Sequence, residues 1–285
     1  MKLKKKISYA VGILAVTVIV SLLSAPAIVK SLGLHPDFDS KQYNFEGKRA
    51  LIVTTSHGVL NKPGETTGDP TGIFGSEMTI PYYEFLDANM QVDVASIKGG
   101  EIPIDPQSFI YFIKTESDKR YLKDESFQAK VKNSIPLSKV DFKQYDVVFF
   151  SGGWGAAYDM AQSEILAEKV SDAYYNSDLV YGSVCHGALA FTEAKDTLGN
   201  YLIAGRTMTG VTMKQLEQLN ISYTPKHPEP ELKKAGANYQ ANHKSNDFFA
   251  TLTVIDKEKR FVTGQNQNSG HETAQLILKT LSERE

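Results

Sequence analysis

Two periods alternate along this chain. Short, nearly continuous apolar runs at residues 47–55, 90–96, 145–151 and 179–184 predict buried parallel strands. Between them, apolar residues recur near every 3.6 positions. Ile80, Tyr83, Phe85 and Leu86 form one such stripe, with Ser76 as its expected N-cap, and residues 156–175 form another. Further along, the pattern predicts a strand over 206–212, a helix over 213–219 and a short helix ending at Gly236. Residues 248–255 and 260–264 read as two strands joined by the charged turn 256–259, and 270–281 as an amphipathic closing helix. Residues 105–141 are mixed, aromatic at 109–112 and strongly charged from Lys114 to Lys132. They read as a partly helical insertion or cap whose charges form a solvated face. Strands alternating with helices predict an α/β fold, a doubly wound parallel sheet with helices on both faces.

The first thirty residues depart from this pattern. Residues 1–6 are basic, and residues 7–29 carry no charge. Such a segment is long enough to span a bilayer as one helix, with its positive flank on the cytoplasmic side. The expected arrangement is a single-pass membrane protein, with residues 1–30 as anchor, 31–46 as linker and 47–285 as one extracytoplasmic domain. Ala25-Pro26-Ala27 resembles a cleavage site, so a secreted protein released from a signal segment is the alternative.

Composition narrows the function further. The 285 residues hold 31 Lys and Arg against 33 Asp and Glu, so no global field favours nucleic acid. A single cysteine excludes an intramolecular disulfide. There is no phosphate-binding loop, no paired CxxC and no HExxH, and no cofactor is expected. His57, His227, His243 and His271 are scattered, so no metal site is expected, although His57 in the long loop 56–75 could line a pocket.

The candidate chemistry gathers around residues 178–191. An apolar run meets Cys185, then His186 and Gly187, then a helix-like segment. Strand, tight turn and helix make a nucleophile elbow, which would expose the sulfur at the carboxyl edge of the sheet and favour thiolate through the helix N-terminus. Gly152 and Gly153, closing another strand, suit an oxyanion hole. Glu77 stands where a helix follows the long first loop and could exchange a proton with the thiol. Taken singly, each has a structural alternative: a core cysteine, a turn histidine, a tight glycine turn, a helix N-terminal acid.

Together these pieces resemble a known family. Val184-Cys185-His186-Gly187, Gly75-Ser-Glu77 with Pro81-Tyr82, Lys98-Gly-Gly100, Ser151-Gly-Gly153-Trp-Gly155 and Thr263-Gly-Gln-Asn266 occur in the order found in the ThiJ/PfpI family of the class I glutamine amidotransferase-like superfamily. The resemblance is to its heat-shock chaperone and glyoxalase III branch, and runs from about Lys48 to the C-terminal helix. It implies a flavodoxin-like fold, a nucleophilic Cys185, a Glu77 hydrogen-bonded to the thiol, and His186 as a proton carrier. It implies a small reactive carbonyl as substrate, with methylglyoxal converted to lactate without glutathione, or deglycase activity. Amidase or peptidase activity, or a redox-sensing or holdase chaperone role, are the alternatives, and a homodimer is an assembly open to it. One departure stands out: the acid that orients the histidine in many members falls near Leu216 here, with Glu217 one residue off as the candidate third partner.

Overall fold

The computed structural model describes residues 2–284. It begins with the helix α1 (Lys2–Ser31). Next come strand β1 (Arg49–Thr54), a small hairpin of β2 (Val59–Asn61) and β3 (Gly68–Pro70), helix α2 (Gly75–Asp87) and strand β4 (Gln91–Ser96). The mixed segment yields α3 (Glu116–Tyr121), α4 (Glu125–Lys132) and the short strand β5 (Ile135–Pro136). The chain continues through β6 (Val147–Phe150), α5 (Glu164–Asn176), β7 (Val180–Val184), β8 (Thr207–Met208), α6 (Met213–Gln218), α7 (Pro228–Lys234) and β9 (Asn238–Tyr239). It closes with β10 (Thr253–Ile255), β11 (Phe261–Gly264) and α8 (Gly270–Ser282).

Seven strands form one sheet in the order β10-β11-β7-β6-β1-β4-β5. All neighbours are parallel except the β10–β11 hairpin. The alternation of side chains along β1 divides the core: Ala50 and Ile52 pack with Met78, Phe85 and Ile277 beneath α2 and α8, and Leu51 and Val53 pack with Leu166, Val170 and Phe191 beneath α5 and the elbow. Both faces are covered, so the carboxyl ends of the strands are the free edge where a site can form.

Several expectations change at the boundaries. The α2 helix starts at Gly75 after Phe74, without a side-chain cap of its own. The Ser76 hydroxyl is buried without a partner among the described residues, and Ser108 Oγ caps the helix from outside, accepting from Gly75 N–H at 2.8 Å. The 105–141 segment supplies an edge strand to the sheet, and its charged stretch buries Asp118, Tyr121 and Phe127. Residues 156–175 break into two 3-10 turns before α5, where Ser163 takes the N-cap. The strand expected over 206–212 shrinks to β8, paired with β9. Residues 31–46 are no free linker: Leu34 and Phe45 are buried, and Lys41 N–H donates to Gln275 Oε1 at 2.9 Å. The side chains of the basic flank 1–6 lie outside the described residues.

Candidate active site

Strand β7 delivers Cys185 to the free edge and the chain turns sharply there. Cys185 takes φ +56°, a left-handed conformation rare for a residue with a side chain and found where a site over-determines it. The segment that follows, Cys185–Phe191, is a 3-10 helix rather than an α-helix. Gly187 permits the turn: a Cβ there would overlap the Phe150 carbonyl at the end of β6. The elbow geometry is therefore present, but Cys185 is only 6% exposed and lines a cavity.

Glu77 approaches from the first turn of α2. Its carboxyl contacts the thiol and the Gly152 amide, and Oε2 keeps no well-aligned partner among the described residues. A Cβ on Gly152 would collide with that oxygen, so the glycine is what lets strand β6 and α2 come together here. The amides of Gly153 and His186 both donate toward the sulfur. Gly153 holds φ +95°, which turns its N–H into the site. The oxyanion pair expected at Gly152 and Gly153 is thus rearranged: Gly152 serves the carboxyl, and Gly153 with His186 N–H serves the sulfur.

The electrostatics differ from the expectation of a low-pKa thiol. Burial, then the Glu77 charge, push the thiol well above its ordinary value, against the pull of the His186 and Gly153 amides. A 3-10 turn offers only a short row of aligned peptides, too little to offset that burial. Glu77 is pushed up to about 8, chiefly by burial, with the thiol and Gly152 contacts working against it. Two anions this close in a dry site oppose one another, so the pair holds at least one proton over a wide pH range.

His186 lies beside the sulfur, Nδ1 to Sγ 3.5 Å, with its ring 5.1 Å from that of Trp154. Burial lowers its pKa to about 3, so the ring is neutral. Its Nε2 has no hydrogen-bond partner among the described residues. Glu217 does not supply one: it is exposed on α6. Gln215, two positions earlier on α6, turns into the cavity instead, with Oε1 accepting from Asn266 Nδ2 at 3.1 Å. Sequence reading passed over Gln215; its i, i+4 spacing to Leu219, which also lines the cavity, was the available signal.

The cavity measures about 140 Å³ and is bounded by Phe74, Trp154, Val211, Leu219, Ile221 and Phe248 around the polar base. His57 is not part of it: its Nε2 faces the Val59 carbonyl at 2.6 Å and its ring stacks on Tyr158. Asp159, four residues after Gly155, braces the loop after β1 by accepting from Thr55 Oγ1 at 2.8 Å and Ser56 N–H at 2.7 Å. Among the described residues, no group of three His, Cys, Asp or Glu is placed to hold a metal ion.

A model of the DJ-1/PfpI family matches residues 71–280. The chain belongs to the DJ-1/PfpI family. Among relatives of this DJ-1/PfpI protein, the glutathione-independent glyoxalase hsp3101 of Schizosaccharomyces pombe is 26% identical over 245 residues, covering 82% of this chain and 96% of its own. Glyoxalase 3 of Candida albicans is 28% identical over 238 residues, covering 81% and 97%. In structure the fold resembles Rapid Encystment Protein 24 KDa of Francisella tularensis, with a TM-score of 0.74 and 32% identity over 82% of this chain and 99% of that one. It also resembles glyoxalase III from Candida albicans, with a TM-score of 0.69 and 25% identity over 82% and 97%.

Proposed function

We propose that this chain is a cysteine-dependent, glutathione-independent glyoxalase that converts a 2-oxoaldehyde and water to a 2-hydroxy acid. The observation that carries the reading is the convergence of one sulfur, one high-pKa carboxyl and two backbone donors at the base of a single cavity. The names of the relatives point the same way. Cys185 Sγ bonds to the aldehyde carbon while the thiol proton passes to Glu77. The resulting oxyanion, held by the Gly153 and His186 amides, takes that proton from Glu77, giving a neutral hemithioacetal and a free carboxylate. Glu77 then moves the C1 proton to C2 through an enediol while the C1 hydroxyl proton passes to the C2 oxygen, which oxidises C1 to a thioester and reduces C2 to an alcohol, with no external oxidant. Water cleaves the thioester, and the proton returns to sulfur.

Glu77 suits this relay better than His186. A base works best with a pKa near the working pH, and about 8 meets that condition where about 3 does not. The neutral His186 ring, with Nδ1 on the sulfur, positions and screens it. The same lack of an acid behind His186 weakens the amidase alternative, in which the imidazole must accept and return a proton.

We also propose that α1 anchors the protein in a membrane. Gly12–Ser31 is twenty residues long, and its apolar window contains no buried residue. At ~1.5 Å per residue it covers about 30 Å, the thickness of a bilayer core. The test of the reaction is lactate production from methylglyoxal without glutathione by the purified full chain, and its loss in Cys185→Ala.

A further inference from the structure

The exit of α1 and the mouth of the cavity are held by the same three segments. After Ser31 the chain turns onto the domain. Gly33 meets Lys244 and Phe249 so closely that a Cβ would lie 2.9 Å from Lys244 Nζ and 3.1 Å from the Phe249 carbonyl. Next, His35 N–H donates to Asn268 Oδ1 at 2.8 Å, and His35 Nε2 lies 2.8 Å from the Ile113 carbonyl. Phe248 and Gln267, the immediate neighbours of Phe249 and Asn268, line the cavity. Gln107, at the start of the loop that leads to Ile113, lines it too.

Around this exit several large apolar side chains stand exposed among charged ones. Leu32, Phe38, Ile110, Tyr111 and Phe112 are all exposed, Tyr111 by 59%. Lys30, Lys114 and Lys119 border the groove between the last turns of α1 and Phe112, with Asp37 paired to Lys30 and Glu116 paired to Lys119, each at 2.6 Å. Aromatic and aliphatic side chains bordered by paired lysines and carboxylates, at the end of an apolar helix, suit the zwitterionic headgroup layer. An isolated exposed leucine needs no explanation, but a cluster within a turn of a bilayer-length helix does.

We propose that the face carrying Leu32, Phe38, Ile110, Tyr111 and Phe112 rests in the headgroup layer of a lipid bilayer, so that the Cys185 cavity opens beside the lipid and takes 2-oxoaldehydes with an apolar tail. The inference rests on the anchor and glyoxalase readings above. The bilayer is the occupant because α1 runs directly into this face, Pro26 and Val29 of α1 lining one groove with Phe38 and Phe112. The substrate class follows from the walls. Six apolar and aromatic residues wall the cavity, more than one methyl group can cover, and an alkyl tail would continue from them past Phe248 toward the lipid.

The test uses the full chain in phosphatidylcholine–phosphatidylglycerol vesicles. In a Trp154→Phe background, Tyr111→Trp reports the face and Leu198→Trp, 84% exposed in the turn between Ala194 and Leu202 of the other core cluster, is the control. Lipids brominated near the headgroup should quench the Tyr111→Trp emission and leave Leu198→Trp bright. Equal quenching, or none, overturns the proposal. A blue-shifted emission without quenching means that protein, such as a second copy, covers the loop, and overturns it too. For the substrate, Ile110→Ser, Tyr111→Ser and Phe112→Ser combined should lower kcat/KM for 2-oxododecanal about tenfold, the equivalent of two buried methylenes, and leave methylglyoxal unchanged. The same loss on both, or no loss, overturns the tail-binding half. Quenching without any turnover of either aldehyde would sink the glyoxalase reading and the substrate class while the docked face stands. A chain that fails to float with vesicles removes the anchor and this inference together.

Discussion

Glu77, in the first turn of α2, meets the Cys185 thiol across the carboxyl edge of the sheet, and the carboxylate charge raises the thiol's affinity for its proton. The relationship gives the site its character. Neither group titrates alone, and the form with one proton between them contains both a nucleophile and its proton acceptor.

Removing either partner should separate the roles. Cys185→Ser is expected to reduce methylglyoxal turnover to background. Glu77→Gln should keep the fold and lower kcat by about 10²–10⁴, the range of a lost general acid–base group. His186→Ala should cost about tenfold, because a neutral ring without an acid behind it positions rather than shuttles. Steady-state kinetics on the three purified variants checks the order.

The pH–rate profile should follow Glu77. With its pKa at about 8, kcat/KM is expected to rise through that value as the pair loses its first proton. His186, at about 3, should add no limb near neutrality. A profile that rises instead near the ordinary imidazole value of about 6.5 would transfer the base to a histidine.

Stability should respond to the two groups in opposite directions. Glu77 titrates at 4.5 when unfolded and at about 8 when folded, so its contribution is full below 4.5 and is lost as pH rises through about 8. His186 falls from 6.5 to about 3, so its contribution is full above 6.5 and is lost as pH falls toward 3. Denaturant titrations across this range should show Glu77→Gln flattening the alkaline side and leaving the acid side alone.

Gly152→Ala should damage the site more than its small size suggests. The added methyl would meet the Glu77 carboxyl and the Val184 carbonyl, so α2 or the turn must move. A stability loss of about 1–3 kcal/mol, the usual cost of overpacking, is expected with a larger loss of activity.

The central strands were legible because continuous apolar runs such as Val147–Phe150 have one reading in a covered sheet. The turn at Gly153 was legible because glycine tolerates its positive φ, and the elbow at Cys185 because an apolar strand runs into a Gly-containing turn there. What depended on distant packing was not. Ser76 looks like a cap, yet Ser108 supplies it from another segment. Residues 31–46 have no period because they dock as an extended strap through Leu34 and Phe45. Glu217 has the charge an orienter needs, but the turn of α6 points Gln215 at the cavity and leaves Glu217 in solvent. The thiol's pKa was misjudged because sequence shows the turn after β7 and not the depth at which it lies.

The coupling itself can be measured directly from the rate of Cys185 alkylation against pH. The wild-type profile should rise in two steps, the first near the Glu77 value of about 8 and the second well above the ordinary thiol range, and Glu77→Gln should collapse it to one step. A single step near the free-thiol value of about 8.5, identical in the two proteins, would contradict a shared proton and with it the chemistry assigned to this site.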